Sequence, residues 1–70
     1  MIKYDRIWQT MKEKGISQYD LITEYKVNSA LLHKLRHNLN IEIYTLDKLC
    51  NILDCQLEDI AEHIKDDNVF

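Results

Sequence analysis

Gly15-Ile16-Ser17-Gln18-Tyr19-Asp20-Leu21-Ile22-Thr23-Glu24-Tyr25-Lys26-Val27-Asn28-Ser29-Ala30-Leu31-Leu32-His33-Lys34-Leu35-Arg36 reads as two short helices separated by a tight turn, and that reading decides the fold. Gly15 follows Lys14 and is free to adopt the left-handed conformation that ends a helix. The hydroxyl of Ser17 is placed to accept an N–H left unpaired at the next helix start. Asp20, three residues on, makes a capping-box arrangement with Asp where Glu is usual. Ile16 precedes the cap and can pack back on Leu21 as a hydrophobic staple. This helix is predicted over 18–25, with Leu21, Ile22 and Tyr25 on its apolar side. Tyr25-Lys26-Val27 is the turn, and Asn28 caps a further helix over 29–36. At about 100° per residue, Leu32 and Leu35 point inward and Leu31 lies at the edge of that face. Ser29, Ala30, His33, Lys34 and His37 fall on the outer side.

The flanks continue the helical pattern. Tyr4, Ile7, Trp8 and Met11 form one stripe of a first helix, 4–14. His37 to Ile43 reads as a loop whose Ile41 and Ile43 tuck against the core. A fourth helix is predicted over 44–53, with Leu46, Leu49, Cys50 and Leu53 inward, and Asp54 stands where a helix-closing glycine is common. A fifth is predicted over 57–64 from Leu57, Ile60 and Ile64, with Glu58 and Asp59 in the first turn where the helix dipole favours acids. Residues 66–70 read as a frayed tail. The expected fold is therefore all-α, a single five-helix domain over 1–70.

Composition narrows the function classes. The 70 residues include one glycine and no proline, which favours helices over tightly turned sheets. A chain this small buries limited surface, so dimerisation would stabilise it. No apolar run approaches the roughly 20 residues of a membrane span, and charge continues where a signal peptide would have its apolar stretch. A cytoplasmic location and no membrane partner are expected, with Cys50 and Cys55 as reduced thiols. The net charge of −3 hides an asymmetry: residues 1–38 carry seven bases and four acids, residues 39–70 two bases and eight acids. The two ends present different surfaces to partners or solvent.

Two short helices across a three- to four-residue turn, the second with a polar outer side, are a helix-turn-helix pattern. One helix braces the other, which presents polar side chains to base edges in a major groove. Residues 4–64 resemble the Cro/C1-type (XRE-like) helix-turn-helix family of regulators. The likeness rests on Gly15 to Ile22, on Val27 to Arg36, on Thr45-Leu46-Asp47-Lys48-Leu49-Cys50-Asn51-Ile52-Leu53, and on Leu57-Glu58-Asp59-Ile60. It implies a lambda-repressor-like domain that binds double-stranded DNA as a homodimer and regulates transcription, repressor-like, with its third helix in the major groove. By the same resemblance Gln18 lies at a phosphate, Ser29, Ala30 and Lys34, with His33 beside them, face the bases, and His37 and Asn38 form a backbone-contacting corner. Ser17 and Asn28, the caps of the two helices, complete the expected DNA-binding set. The last helix and the residues after it, Ile64, Val69 and Phe70 among them, would make the dimer surface.

Several residues depart from the family pattern. Lys26 stands where glycine is usual, at a cost of roughly 1 kcal/mol for a left-handed backbone. Ile22 replaces a small residue inside the second helix. Ala30 and Leu31 leave the reading face poor in hydrogen-bonding groups. These features and the negative charge support a second reading, a protein-interaction module (an antirepressor or accessory partner of another regulatory protein) that keeps the fold. Arg36 is balanced between a salt bridge and a phosphate contact. His33 and His37 lie one turn apart but have no predicted carboxylate or cysteine beside them, so no metal is expected. Cys50 and Cys55 read as small buried hydrophobes. No catalytic constellation, cofactor loop or nucleophile–base pair is present, and no enzyme activity is expected.

Overall fold

A computed structural model describes residues 1–67. In chain order it has β1 (Ile2–Lys3), α1 (Arg6–Lys14), α2 (Gln18–Thr23), α3 (Ser29–Arg36), α4 (Ile43–Leu53), a single 3₁₀ turn (Leu57–Asp59) and β2 (Glu62–His63). The caps that set the two central helices are in place. Ser17 Oγ accepts the Asp20 N–H at 3.0 Å while the Ser17 N–H donates to the Asp20 carboxylate at 2.9 Å. Asn28 Oδ1 accepts the Leu31 N–H at 2.8 Å. Each such cap satisfies donors that a helix start leaves open and contributes about 1 kcal/mol.

Three helices end in the same way. Gly15, Asn38 and Asp54 are left-handed, with φ of 70°, 54° and 50°. The next residue then donates back five positions: Ile16 to the Met11 carbonyl, Leu39 to Lys34 and Cys55 to Cys50, at 3.0 to 3.1 Å. This is the Schellman closure, which pairs carbonyls that the helix end would strand. Lys26, φ 61°, turns the chain between α2 and α3, as expected for the position usually held by glycine.

One core ties the helices together. Ile7, Leu21, Leu32, Leu35, Leu49, Leu53 and Ile60 are fully buried, with Tyr4, Met11, Ile41 and Leu46 nearly so. Each such side chain contributes roughly 1.5–3 kcal/mol by leaving water. Trp8, Ile16, Leu31, Cys50 and Cys55 pack partly buried against it. Tyr19 and Tyr44 are exposed.

The expected fifth helix is replaced by one 3₁₀ turn and a strand, so the described residues form four α-helices and are not purely helical. The strand β2 pairs antiparallel with β1, Ile2 against His63 and Lys3 against Glu62. The Arg6 guanidinium bonds the Glu62 carboxylate at 2.9 Å and the Glu58 carbonyl at 3.1 Å. Thr10 Oγ1 donates to the Asp59 carbonyl at 2.6 Å. Backbone pairing and these bonds outbid a second helical turn. Of the three apolar residues that suggested the helix, Ile60 alone is buried; Leu57 and Ile64 are exposed.

Smaller corrections follow the same logic. Tyr4 precedes α1 rather than belonging to it, and is held by backbone and packing. The helix α2 stops at Thr23, so Tyr25 leaves its apolar face and is exposed, as is Ile22. The helix α4 begins at Ile43, which is 74% exposed instead of tucked in. Val69 and Phe70 lie outside the described residues. Among the described residues, no helix is long and apolar enough to cross a membrane.

Candidate nucleic-acid interface

The outer side of α3 is built by subtraction. Leu32 and Leu35 are buried and fix the helix rotation, which leaves Ser29, Ala30, His33, Lys34 and His37 exposed. All five are on one side, as the helical wheel requires. Ser17, Gln18 and Asn28 are exposed beside them. Asn28 spends its side-chain oxygen on the helix cap, and Ser17 spends its hydroxyl oxygen on the α2 cap. Ser17 therefore offers its hydroxyl proton, and Asn28 its amide N–H₂, to anything outside.

Arg36 joins α3 to α2. Its Nη2 donates to Gln18 Oε1 at 2.8 Å, a third outcome beside the salt bridge and phosphate contact weighed from the sequence. An arginine has only donors, so this bond requires the carbonyl end of Gln18 to face it and turns the Gln18 amide N–H₂ away. The start of α2 thereby presents a donor held by a second side chain.

Asn38 closes α3. Its left-handed backbone lets Oδ1 reach back to accept the Tyr4 N–H at 2.8 Å, 34 positions earlier in the chain. The side chain is half-buried, and its Nδ2 is the group left over. The rings of His33 and His37 lie against each other on successive turns, centroids 4.3 Å apart and tilted by 45°.

The basic character extends beyond α3. A groove between the α2–α3 turn and α4 is lined by Lys26, Lys34 and Lys48, with Glu42 the one acid and Asn28, Asn40 and Thr45 as neutral polar groups. Lys48 was not singled out from the sequence, because it sits in the acidic half of the chain; its nitrogen lies over the Tyr44 ring, 5.4 Å from the centroid. None of the three lysines makes an ion pair among the described residues. The 17 residues from Tyr25 to Ile41, which include α3, contain no Asp or Glu, so the acids that give the chain its negative sum lie elsewhere in the sequence.

The sequence matches the model of the Cro/C1-type helix-turn-helix DNA-binding domain over residues 6–66. Among solved structures, that of the transcriptional regulator VanUg is similar with a TM-score of 0.80 at 23% identity, covering 93% of this chain and 87% of that one. At that identity the likeness speaks for the fold. No curated protein matches the sequence.

Proposed function

Because the chain belongs to the Cro/C1-type helix-turn-helix DNA-binding domain family, we propose that it binds double-stranded DNA sequence-specifically through α3 and regulates transcription, repressor-like, as a homodimer. The observation that carries this reading is the division of α3: Leu32 and Leu35 buried, Ser29, Ala30, His33, Lys34 and His37 exposed, with Lys26 and Lys48 along the adjoining groove. Lys34 and Ser29 supply the direct hydrogen bonds to base edges, Ala30 an apolar contact for a thymine methyl. The Gln18 amide, Ser17, His37 and the Asn38 amide serve phosphates, which set register without reading sequence. Two copies would place two reading helices about one helical turn of DNA apart, roughly 34 Å.

Binding to a random duplex at several salt concentrations tests the first step. Affinity should fall with salt by a log–log slope of roughly −0.9 per phosphate neutralised. Selection of bound fragments from a random pool should enrich a palindrome. Lys34→Ala should weaken binding to the selected site by about 1–3 kcal/mol and relax one base position. Equal binding by parent and variant on every sequence removes Lys34 from the interface. No salt-dependent binding at all would favour the protein-interaction module instead.

A further inference from the structure

The histidine pair on α3 has more to offer than two polar surfaces. His33 and His37 are four residues apart, so their Cβ atoms lie one above the other on the same helical side. Their rings already lie with centroids 4.3 Å apart. Both residues are exposed, and neither imidazole takes part in a hydrogen bond or ion pair among the described residues. No acid neighbours them in sequence. Neutral imidazole nitrogens are ligands for divalent first-row ions such as Cu²⁺, Ni²⁺ and Zn²⁺, at about 2.0–2.1 Å for zinc. Two imidazoles on one helix turn can meet one ion by side-chain rotation alone, with no movement of backbone.

We propose that His33 and His37 form a two-imidazole chelate for a divalent first-row transition-metal ion on the outer side of α3, its remaining positions open to water. The sequence gives no third protein ligand nearby; the ring geometry sets two imidazoles side by side, within side-chain rotation of one shared ion. An ion held there adds two positive charges to a face that carries few. On the DNA-binding reading, on which this consequence rests, the ion tightens binding to duplex DNA, and DNA tightens the ion by the same factor.

Ni²⁺ and Zn²⁺ titrated calorimetrically into the untagged full chain, without DNA, decide the chelate independently of the function. One site is expected, weakened by about tenfold or more in both His33→Gln and His37→Gln and unchanged in His63→Gln, which controls for the remaining histidine. Circular dichroism checks that each variant folds, as exposed glutamines in a helix should. Equal affinity in His33→Gln and the parent, or loss only in His63→Gln, overturns the site, and the rings are then merely stacked. Fluorescence anisotropy on a random duplex with and without Ni²⁺ tests the coupling: a gain of about fivefold or more is expected in the parent and not in either α3 variant. Weaker or unchanged DNA binding with the metal site filled overturns the coupling. Absence of any DNA binding sinks the function and leaves the chelate decided by the first titration.

Discussion

Asn38 makes the most demanding case for substitution, because two separate contributions meet in one residue. Its backbone sits at φ 54° and its Oδ1 holds the Tyr4 N–H at 2.8 Å in a half-buried setting. Asn38→Ala removes the acceptor and leaves that N–H without a partner, at about 1–2 kcal/mol. It also places a Cβ-bearing residue with no local hydrogen bond in a left-handed conformation, at about 1 kcal/mol. Together the loss is about 2–3 kcal/mol, which for a domain of this size lowers Tm by roughly 10–20 °C. Asn38→Gly loses the bond but not the conformation, so it should fall near half that far. Asn38→Asp keeps an acceptor and a tolerated left-handed backbone, and should melt within a few degrees of the parent. Thermal and urea denaturation of the three variants measure the series. If the Gly and Ala variants melt together, backbone strain has no part in the site. If Asp melts as low as Ala, the carbonyl oxygen is not what holds Tyr4.

Two further outcomes follow from named atoms. Burial pushes the Cys55 thiol up to about 11 and raises that of Cys50, chiefly by desolvating the thiolate. Both should therefore react slowly with a disulfide reagent at pH 8 in the native protein and fast in denaturant, whereas equal rates would mean the thiols are freely solvated. The same shift sets a sign: the native state keeps protons that unfolded cysteines shed above about 8.5, so this contribution to stability is present below that pH and is lost as pH rises towards 11. Lys26→Gly should raise Tm slightly, by the equivalent of about 0.5–1 kcal/mol, since glycine relieves the left-handed strain but adds unfolded-state entropy.

Where a helix announces itself through its own side chains, the sequence is sufficient. Ser17 with Asp20, Asn28 and Gly15 are local devices, and α2 and α3 begin where those residues put them. The exposed side of α3 was legible for the same reason, since Leu32 and Leu35 fix a rotation that every other residue of α3 must follow. The end of the chain was not legible, because what decides it lies sixty residues away. Leu57, Ile60 and Ile64 repeat with helical spacing, yet β2 forms because Ile2 and Lys3 offer backbone partners and Arg6 and Thr10 bind Glu62 and Asp59. Local periodicity carries no record of a strand at the other terminus. Lys48 was hidden for a different reason: charge summed along the sequence assigns it to an acidic half, whereas charge mapped in space sets it across a groove from Lys34. Asn38 was expected at a phosphate from its place after α3, and no pattern within the chain signals that its oxygen faces Tyr4.

The turn before α3 poses a question that stability alone does not answer. Asn38 and Asp54 also have positive φ, but their side chains tolerate it, and Asn38 gains a hydrogen bond there. Lys26 has neither advantage. A glycine would take φ 61° without the Cβ clash, and the backbone bond that closes the turn, Val27 N–H to the Leu21 carbonyl at 2.9 Å, asks nothing of the side chain. A residue that costs stability where a cheaper one fits is best explained by what its side chain does. The Lys26 side chain shares a groove with Lys34 and Lys48, beside the helix that reads DNA in the proposed function. The strain and the charge therefore belong to one trade: Lys26→Gly should melt higher and bind duplex DNA more weakly, with a shallower salt dependence by about one phosphate. A variant that melts higher and binds as tightly would break that link and leave the groove without an anion to hold.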